Sequence, residues 1–178
     1  MPFETINSET VYHGKAFDVR RDQVHLPDGK DTLLDIVVHP GAVTLIPIDS
    51  QGNIYFVRQY RHAVGKELLE LPAGTLNEGE SPQVCALREV REETGMSAAS
   101  LKMIGQFLLA PGYSTEQMFI YLATDLHADP LPGDEDEFIT VKTIAMSELP
   151  EMISQGLIQD AKSLAALYLA QPYLTIDS

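Results

Sequence analysis

Residues 74–96 read GTLNEGESPQVCALREVREETGM, a loop with glycine and acidic residues followed by a segment rich in carboxylates. Ser81 is a favourable helix N-cap, and Pro82 suits the first helical position, where a backbone N–H would have no partner within the helix. Gly95 can adopt the left-handed conformation that ends many helices. The stretch therefore predicts a helix that begins at Pro82 and ends just before Gly95.

This helix is predicted to have an apolar face and an acidic face. At about 100° per residue, one stripe carries the predicted core residues Val84, Leu87, Val90 and Thr94. Glu89, Glu92 and Glu93 fall on the opposite side, at the spacings that bring helical side chains together. Like charges at this spacing repel, and a divalent cation with oxygen ligands removes the repulsion. Taken alone, the cluster fits either a solvated acidic surface or a metal site.

The same stretch resembles the signature of the Nudix hydrolases, G-x5-E-x7-R-E-U-x-E-E-x-G-U, in which U is an apolar residue. All nine specified positions match: Gly74, Glu80, Arg88, Glu89, Val90, Glu92, Glu93, Gly95 and Met96. A complete match over this length rarely arises by chance. The resemblance implies an enzyme that hydrolyses a diphosphate linked to another moiety. It also implies an α+β fold, a Nudix-type α/β/α sandwich around a mixed β-sheet.

Composition and charge exclude several other classes of protein. A chain of 178 residues, 44% of them hydrophobic, is long enough for one domain with a buried core. The formal net charge of −14 argues against a general nucleic-acid-binding or anionic-membrane surface. The chain has no apolar run that could span a bilayer and no signal-peptide features, so a cytoplasmic location is expected. The single cysteine, Cys85, fits a reducing compartment and is expected to pack rather than react.

Two regions are expected along the chain. Residues 1–40 carry three strand patterns with turn residues between them, and Pro40-Gly41 marks the boundary. This small N-terminal antiparallel β-sheet cannot hold a core alone, so it must pack on the rest of the chain or on a second copy. Some Nudix subfamilies dimerise through such a sheet, so the resemblance favours a homodimer. Residues 41–178 are expected to form the Nudix hydrolase domain.

Motifs outside the signature resemble the ADP-ribose pyrophosphatase branch of the family. They are Arg58-Gln59-Tyr60-Arg61, Glu70-Leu71-Pro72-Ala73-Gly74, and a loop with Pro111, Gly112, Ser114 and Glu116. A proline about sixteen positions beyond the signature is a hallmark of this branch, and Pro111 lies sixteen residues after Gly95. The branch implies hydrolysis of ADP-ribose to AMP and ribose 5-phosphate. The alternatives are a hydrolase of another nucleoside diphosphate sugar (GDP-mannose or a UDP-sugar), a dinucleotide hydrolase, and a catalytically silent nucleotide sensor.

The resemblance also implies a metal centre. The expected cofactor is Mg²⁺, with Mn²⁺ able to replace it, and the expected ligands are the Ala73 carbonyl and the carboxylates of Glu89, Glu93 and Glu137. Glu92 and Glu93 are expected to take part in catalysis. Glu135 is expected to take or orient the proton of the attacking water. Arg88 is expected to hold the preceding loop by pairing with Glu80 or a neighbour.

Substrate-binding residues are expected in two places. Arg58 and Arg61 lie near a strand end in a very acidic chain, where they serve either solubility or diphosphate binding. The resemblance implies that Arg61 and Arg58 hold the diphosphate and that Glu116 lies near the terminal ribose. The expected partner is therefore a nucleotide-sugar small molecule, with no nucleic acid and no membrane.

Overall fold

A computed structural model describes residues 3–133 and 138–174 of the chain. The chain divides into two compact units. The first contains the N-terminal residues up to Gly41 together with Phe107–Gln117, and the second contains Ala42–Gln106 and the residues from Met118 onward. The expected division at residues 40 and 41 therefore left residues 107–117 with the hydrolase domain, whereas contacts group them with the N-terminal strands.

The first unit is built on a three-stranded antiparallel sheet in the order β1-β2-β3. Its strands are β1 (Glu4–His13), β2 (Asp18–His25) and β3 (Asp31–Val38). Residues 107–117 join this unit by backbone hydrogen bonds, since the Val37 N–H donates to the Tyr113 carbonyl (2.8 Å) and the Thr115 N–H donates to the Val37 carbonyl (3.0 Å). These bonds link segments far apart in the sequence, so strand patterns alone could not reveal them.

The first unit has few buried side chains. Every residue of β1 is exposed, and Val24 is a buried apolar residue of β2. Asp22 is also buried, and it accepts hydrogen bonds from the Ser8 hydroxyl (2.6 Å) and from the Arg20 guanidinium. The Ser8 hydrogen bond, assisted by Arg20, lowers the pKa of Asp22. Hydrogen bonds to buried Asp22 thus connect β1 to β2 in a sheet that has few buried apolar side chains.

The second unit contains a mixed four-stranded sheet in the order β7-β4-β9-β8 and an antiparallel three-stranded sheet in the order β10-β5-β6. The first sheet is mixed because β4 is parallel to β9 and antiparallel to β7. The strands are β4 (Ala42–Pro47), β5 (Asn53–Arg61), β6 (Lys66–Glu70), β7 (Ala73–Thr75), β8 (Met96–Leu108), β9 (Gln117–Ala128) and β10 (Ile139–Ala145). All six residues of β4 are buried, as expected for a strand covered on both faces.

The described residues include three α-helices, which are α1 (Pro82–Thr94), α2 (Leu149–Ser154) and α3 (Ala161–Ala170). The predicted ends of α1 are confirmed. The Ser81 hydroxyl accepts a hydrogen bond from the Val84 N–H (3.4 Å), and Gly95 has a left-handed φ of 72°. Val90 of α1 packs in one core cluster with Val43 and Leu45 of β4. Within the described ranges, no helix is long and apolar enough to cross a membrane.

The predicted apolar face of α1 is partly wrong. Val84 and Leu87 are 55% and 37% exposed. Val90 and Thr94 of the predicted stripe are buried, together with Cys85, Ala86, Glu89 and Glu93. Cys85, Glu89 and Glu93 follow each other at i,i+4 spacing, so two of the signature glutamates lie on the buried side of the helix. Hydropathy alone does not predict their burial, because it cannot account for polar partners supplied by the rest of the fold.

Candidate active site

The segment between β6 and α1, which includes β7, brings its backbone against two of the signature glutamates. The Pro72 carbonyl accepts a hydrogen bond from the Leu45 N–H (2.8 Å), which fixes the chain against β4. A Cβ atom on Gly74 would lie 1.7 Å from Glu89 Oε1, so only glycine leaves room for this carboxylate. The residue type at position 74 therefore decides where the Glu89 carboxylate can sit.

Glu93 lies against the same segment. Its Oε2 accepts a hydrogen bond from the Ala73 N–H (2.8 Å), and the residue is buried, as is Glu89. Two buried carboxylates one helical turn apart thus meet the Ala73-Gly74 backbone. Such closely spaced negative charge is costly in a protein interior unless cations or hydrogen-bond donors compensate it.

Arg88 supplies part of that compensation. Its Nε and Nη2 donate to the two carboxylate oxygens of Glu80 (3.0 and 2.9 Å), which confirms the predicted Arg88–Glu80 pair. Its Nη1 donates to Glu89 Oε1 (2.6 Å) and Glu92 Oε2 (2.8 Å). The Arg88 hydrogen bonds lower the pKa of Glu80 from 4.5 to about 2. One arginine therefore ties the loop carboxylate to two glutamates of the helix.

Cys85 lies beside this cluster without the properties of a nucleophile. It is fully buried and belongs to the core cluster of α1 and β4. Burial, together with the negative charge of Glu89, raises the pKa of its thiol to about 12. A thiol with so high a pKa forms almost no thiolate at neutral pH. The predicted packing role of Cys85 is confirmed.

The groups that meet beside Ala73 and Gly74 are the carboxylate oxygens of Glu89 and Glu93. Oxygen ligands of this kind suit a hard divalent cation. Within residues 3–133 and 138–174, however, no group of three or more His, Cys, Asp or Glu side chains is arranged to hold a metal ion. Arg88 draws Glu89 and Glu92 to its own guanidinium, and Glu93 is bonded to a backbone amide. Glu135 and Glu137 lie outside the described residues, so the full ligand set stays a prediction.

Arg61 is the last residue of β5, opposite Lys66 of β6, and its side chain reaches Glu70 at the other end of β6. Its Nε and Nη2 donate to the two carboxylate oxygens of Glu70 (2.9 and 2.8 Å), a bidentate ion pair. Lys162 of α3 donates to the same Glu70 carboxylate and to Asp160 Oδ1 (2.9 Å). Sequence reasoning gave no role to Glu70 or Lys162. Glu70 belongs to the motif Glu70-Leu71-Pro72-Ala73-Gly74, whereas Lys162 belongs to no motif that points to a function.

The other two predicted substrate-binding residues are Arg58 on β5 and Glu116 in the first unit. Arg58 lies three residues before Arg61 in β5, so the two side chains leave opposite faces of the strand. Arg58 is exposed, between buried Val57 and Gln59. Glu116 belongs to the first unit, where its backbone N–H donates to the Ser114 hydroxyl (3.1 Å). The substrate-binding roles of Arg58, Arg61 and Glu116 stay predictions.

Comparison with known proteins gives the class. Residues 38–167 match the NUDIX domain, and residues 3–33 match the nucleoside diphosphate sugar hydrolase N-terminal domain. The chain belongs to the Nudix hydrolase family. Members of this family generally need divalent metal ions.

Individual relatives cover nearly the whole chain. An ADP-ribose pyrophosphatase of Mycobacterium tuberculosis is 39% identical over 93% of this chain and 81% of its own length. An ADP-ribose pyrophosphatase of Bacillus subtilis is 35% identical over 94% of this chain and 92% of its own length. The crystal structure of an ADP compounds hydrolase superposes with a TM-score of 0.88 at 25% identity, covering 98% of this chain and 95% of that one. The predicted fold class, a Nudix sandwich with a mixed sheet and an added antiparallel sheet, is confirmed.

Proposed function

We propose that this protein hydrolyses the diphosphate of ADP-ribose to AMP and ribose 5-phosphate in a metal-dependent reaction. The observation that carries the proposal is the pair of buried carboxylates, Glu89 and Glu93, directed at the Ala73-Gly74 backbone. Burying two negative charges costs a helix free energy, and a bound divalent cation offsets that cost. The two ADP-ribose pyrophosphatases described above support ADP-ribose as the substrate.

The cation is Mg²⁺ in this proposal, and Mn²⁺ can replace it. Its proposed ligands are the Ala73 carbonyl, Glu89, Glu93 and Glu137. A bound divalent cation supplies charge neutralisation for the diphosphate and lowers the pKa of water. Gly74 allows Glu89 to approach the loop, and Arg88 keeps the loop carboxylate Glu80 and the helix together.

The remaining residues act on the substrate and on the attacking water. Arg61 binds the diphosphate through its guanidinium, whose planar donors match phosphate oxygens. Arg58 and Glu116 are further substrate contacts in the proposal. Glu135 accepts or orients the proton of the water that attacks phosphorus, assisted by Glu92, and the second phosphate leaves as a monoester. Water is the nucleophile, so no covalent intermediate with the protein forms.

We also propose that the protein works as a homodimer in the cytoplasm. The first unit exposes several large apolar side chains, which are Phe3, Ile6, Val11, Tyr12, Phe17 and Leu33. A sheet with so little buried apolar surface gains stability when a second copy covers it. The free cysteine Cys85 fits a reducing compartment.

The test is hydrolysis of ADP-ribose, GDP-mannose, UDP-glucose, NADH and diadenosine polyphosphates side by side, with Mg²⁺ and with EDTA. We expect the highest kcat/KM for ADP-ribose, release of AMP, and no turnover in EDTA. Glu93→Gln keeps an oxygen that can accept the Ala73 hydrogen bond but loses the charge, and it should abolish turnover without unfolding the protein. A preference for GDP-mannose or a dinucleotide would move the substrate assignment to that class. Absence of hydrolysis of every compound would favour the nucleotide sensor.

A further inference from the structure

A network of four charged side chains connects α3 to the end of β5. Its centre is Glu70, which is 2% exposed and accepts two hydrogen bonds from Arg61 and one from Lys162. Lys162 also donates to Asp160, whose carboxylate caps α3 by accepting the Ser163 N–H (2.9 Å). Glu70 therefore joins a cation nine residues before it in the sequence to one that lies 92 residues after it.

Exposure rises from one end of this network to the other. The Glu70 side chain is 3% exposed, the Lys162 and Asp160 side chains are each 14% exposed, and the Arg61 side chain is 39% exposed. Arg61 is thus the member of the network that a solute can reach most easily. Bidentate pairing with Glu70 uses two of the five N–H donors of the guanidinium and fixes its plane.

The network lies close to the signature glutamates along the chain. Ala73 follows Glu70 by three positions in the chain, and its N–H donates a hydrogen bond to Glu93. At the greatest extension of a peptide chain their Cα atoms are at most about 11 Å apart. A guanidinium fixed by Glu70 is therefore fixed near the backbone that meets Glu89 and Glu93.

We propose that Glu70 and Lys162 are positioning residues for Arg61, holding its guanidinium oriented for the diphosphate of the substrate. This inference rests on the proposed function, because it takes Arg61 as the diphosphate-binding residue. Glu70 determines the orientation through its bidentate contact. Lys162 binds the same carboxylate from α3, so Glu70 itself is held in place.

The charges of the four side chains balance, which supports these roles. Glu70 and Asp160 each contribute one negative charge, and Arg61 and Lys162 each contribute one positive charge. Burial acts to raise the pKa of Glu70, but its contacts with Arg61 and Lys162 outweigh burial and the pKa is lowered. Asp160 is shared with the N-terminus of α3, where the helix dipole and the Ser163 N–H also bind its charge.

The competing explanation is that the network only ties α3 to β6. Buried ion pairs are often weak sources of stability, because the cost of desolvating the charges offsets their attraction. A purely structural role predicts a changed melting temperature and no specific change at Arg61. A positioning role predicts a change in Arg61 mobility and in diphosphate affinity, even in a variant that melts like the wild type.

The experiment compares Lys162→Met, Lys162→Arg and Glu70→Gln with the wild type. Lys66→Met is the matched control, because exposed Lys66 stands opposite Arg61 in the β5–β6 ladder and its ammonium binds Gln159 rather than Glu70. The first readout is the ¹⁵N heteronuclear NOE of the Arg61 Nε–H group, assigned by its loss in Arg61→Lys. The second is the Kd for ADP-ribose measured by calorimetry in EDTA, where no turnover occurs.

We expect Lys162→Met and Glu70→Gln to lower the Arg61 Nε–H NOE and to raise the Kd for ADP-ribose about tenfold, the size of one charge-assisted hydrogen bond. Lys162→Arg should restore both values, and Lys66→Met should change neither. An unchanged NOE in both Lys162→Met and Glu70→Gln would overturn the inference, since that readout needs no substrate. A lowered NOE with unchanged Kd would overturn the link to the diphosphate. Failure of the wild type to release AMP would instead count against the proposed function.

Discussion

At the scale of single residues, Gly74 matters most for the candidate site. The Glu89 carboxylate occupies the space that a side chain at position 74 would need. We expect Gly74→Ala to displace Glu89 and to lower kcat/KM about a hundredfold or more, because a shift of about 1 Å in a positioned group can cost that much. The measurement is steady-state hydrolysis of ADP-ribose with Mg²⁺, together with a thermal melt.

Gly112→Ala is the control for this substitution. A Cβ at position 112 would meet no atom within 4 Å, so the same added methyl group should leave the melting temperature near its wild-type value. If Gly74→Ala were as active as the wild type, the Glu89 carboxylate could not hold the place that the structure gives it.

Glu80 gives a prediction about pH at the same scale. Its pKa is lowered from 4.5 to about 2, chiefly by the hydrogen bonds from Arg88. A group with a lowered folded-state pKa stabilises the protein fully above its unfolded pKa, and this contribution disappears as the pH falls toward the folded value. The stability difference between the wild type and Glu80→Gln should therefore be largest above about pH 5 and should shrink steadily toward about pH 3.

Urea unfolding at a series of pH values measures this difference. Glu78→Gln, two residues away and exposed, is the control and should differ little from the wild type throughout. A stability difference for Glu80→Gln that stayed constant across the acid range would show that the Arg88–Glu80 pair does not depend on the charge of Glu80.

At the scale of elements, α1 has favourable capping residues at both ends but buries two charged side chains. Its caps are those that the residues predict, but the helix buries Glu89 and Glu93. Such a helix gains less from apolar packing than one with a fully hydrophobic stripe. Its capping interactions should therefore matter measurably for its stability.

Ser81→Ala tests this. The substitution removes the acceptor for the Val84 N–H, and N-cap losses of this kind typically cost about 1 kcal/mol. We expect the free energy of unfolding to fall by about that amount, measured by chemical denaturation. Ser100→Ala changes an exposed serine of β8 in the same way and should have no effect beyond error. Equal stability of the two variants would mean that the Ser81 cap contributes nothing to α1.

At the scale of the whole molecule, the exposed apolar side chains of the first unit favour a second copy as partner. Ile6 is 51% exposed on β1. An aspartate at this position would have to be buried in an apolar interface, which costs several kcal/mol. We expect Ile6→Asp to convert a homodimer into a monomer in light scattering coupled to gel filtration.

Asn7→Asp adds the same charge at the neighbouring exposed position of β1 and serves as the control. It should leave the dimer intact, since it replaces a polar side chain with one of similar size. A wild-type protein that is monomeric at high concentration would remove the basis for this prediction and for the proposed homodimer.

The sequence by itself determined the features that depend on neighbours in the chain. The Ser81 and Gly95 caps of α1 follow from the residues at its two ends, and the Arg88–Glu80 pair joins residues eight positions apart. The nine specified positions of the signature likewise determined the family. Their spacing places Glu89, Glu92 and Glu93 on successive turns of one helix.

Only the tertiary structure decided which face of α1 is buried and what holds Arg61. Glu89 and Glu93 can be buried because Ala73, Gly74 and Arg88 compensate or accommodate their charge, which hydropathy does not represent. Glu70 and Lys162 meet only when α3 packs beside β6, since 92 residues separate them. The physical reason is the same in both cases: the favourable interaction exists only after distant segments have packed, so no local pattern records it.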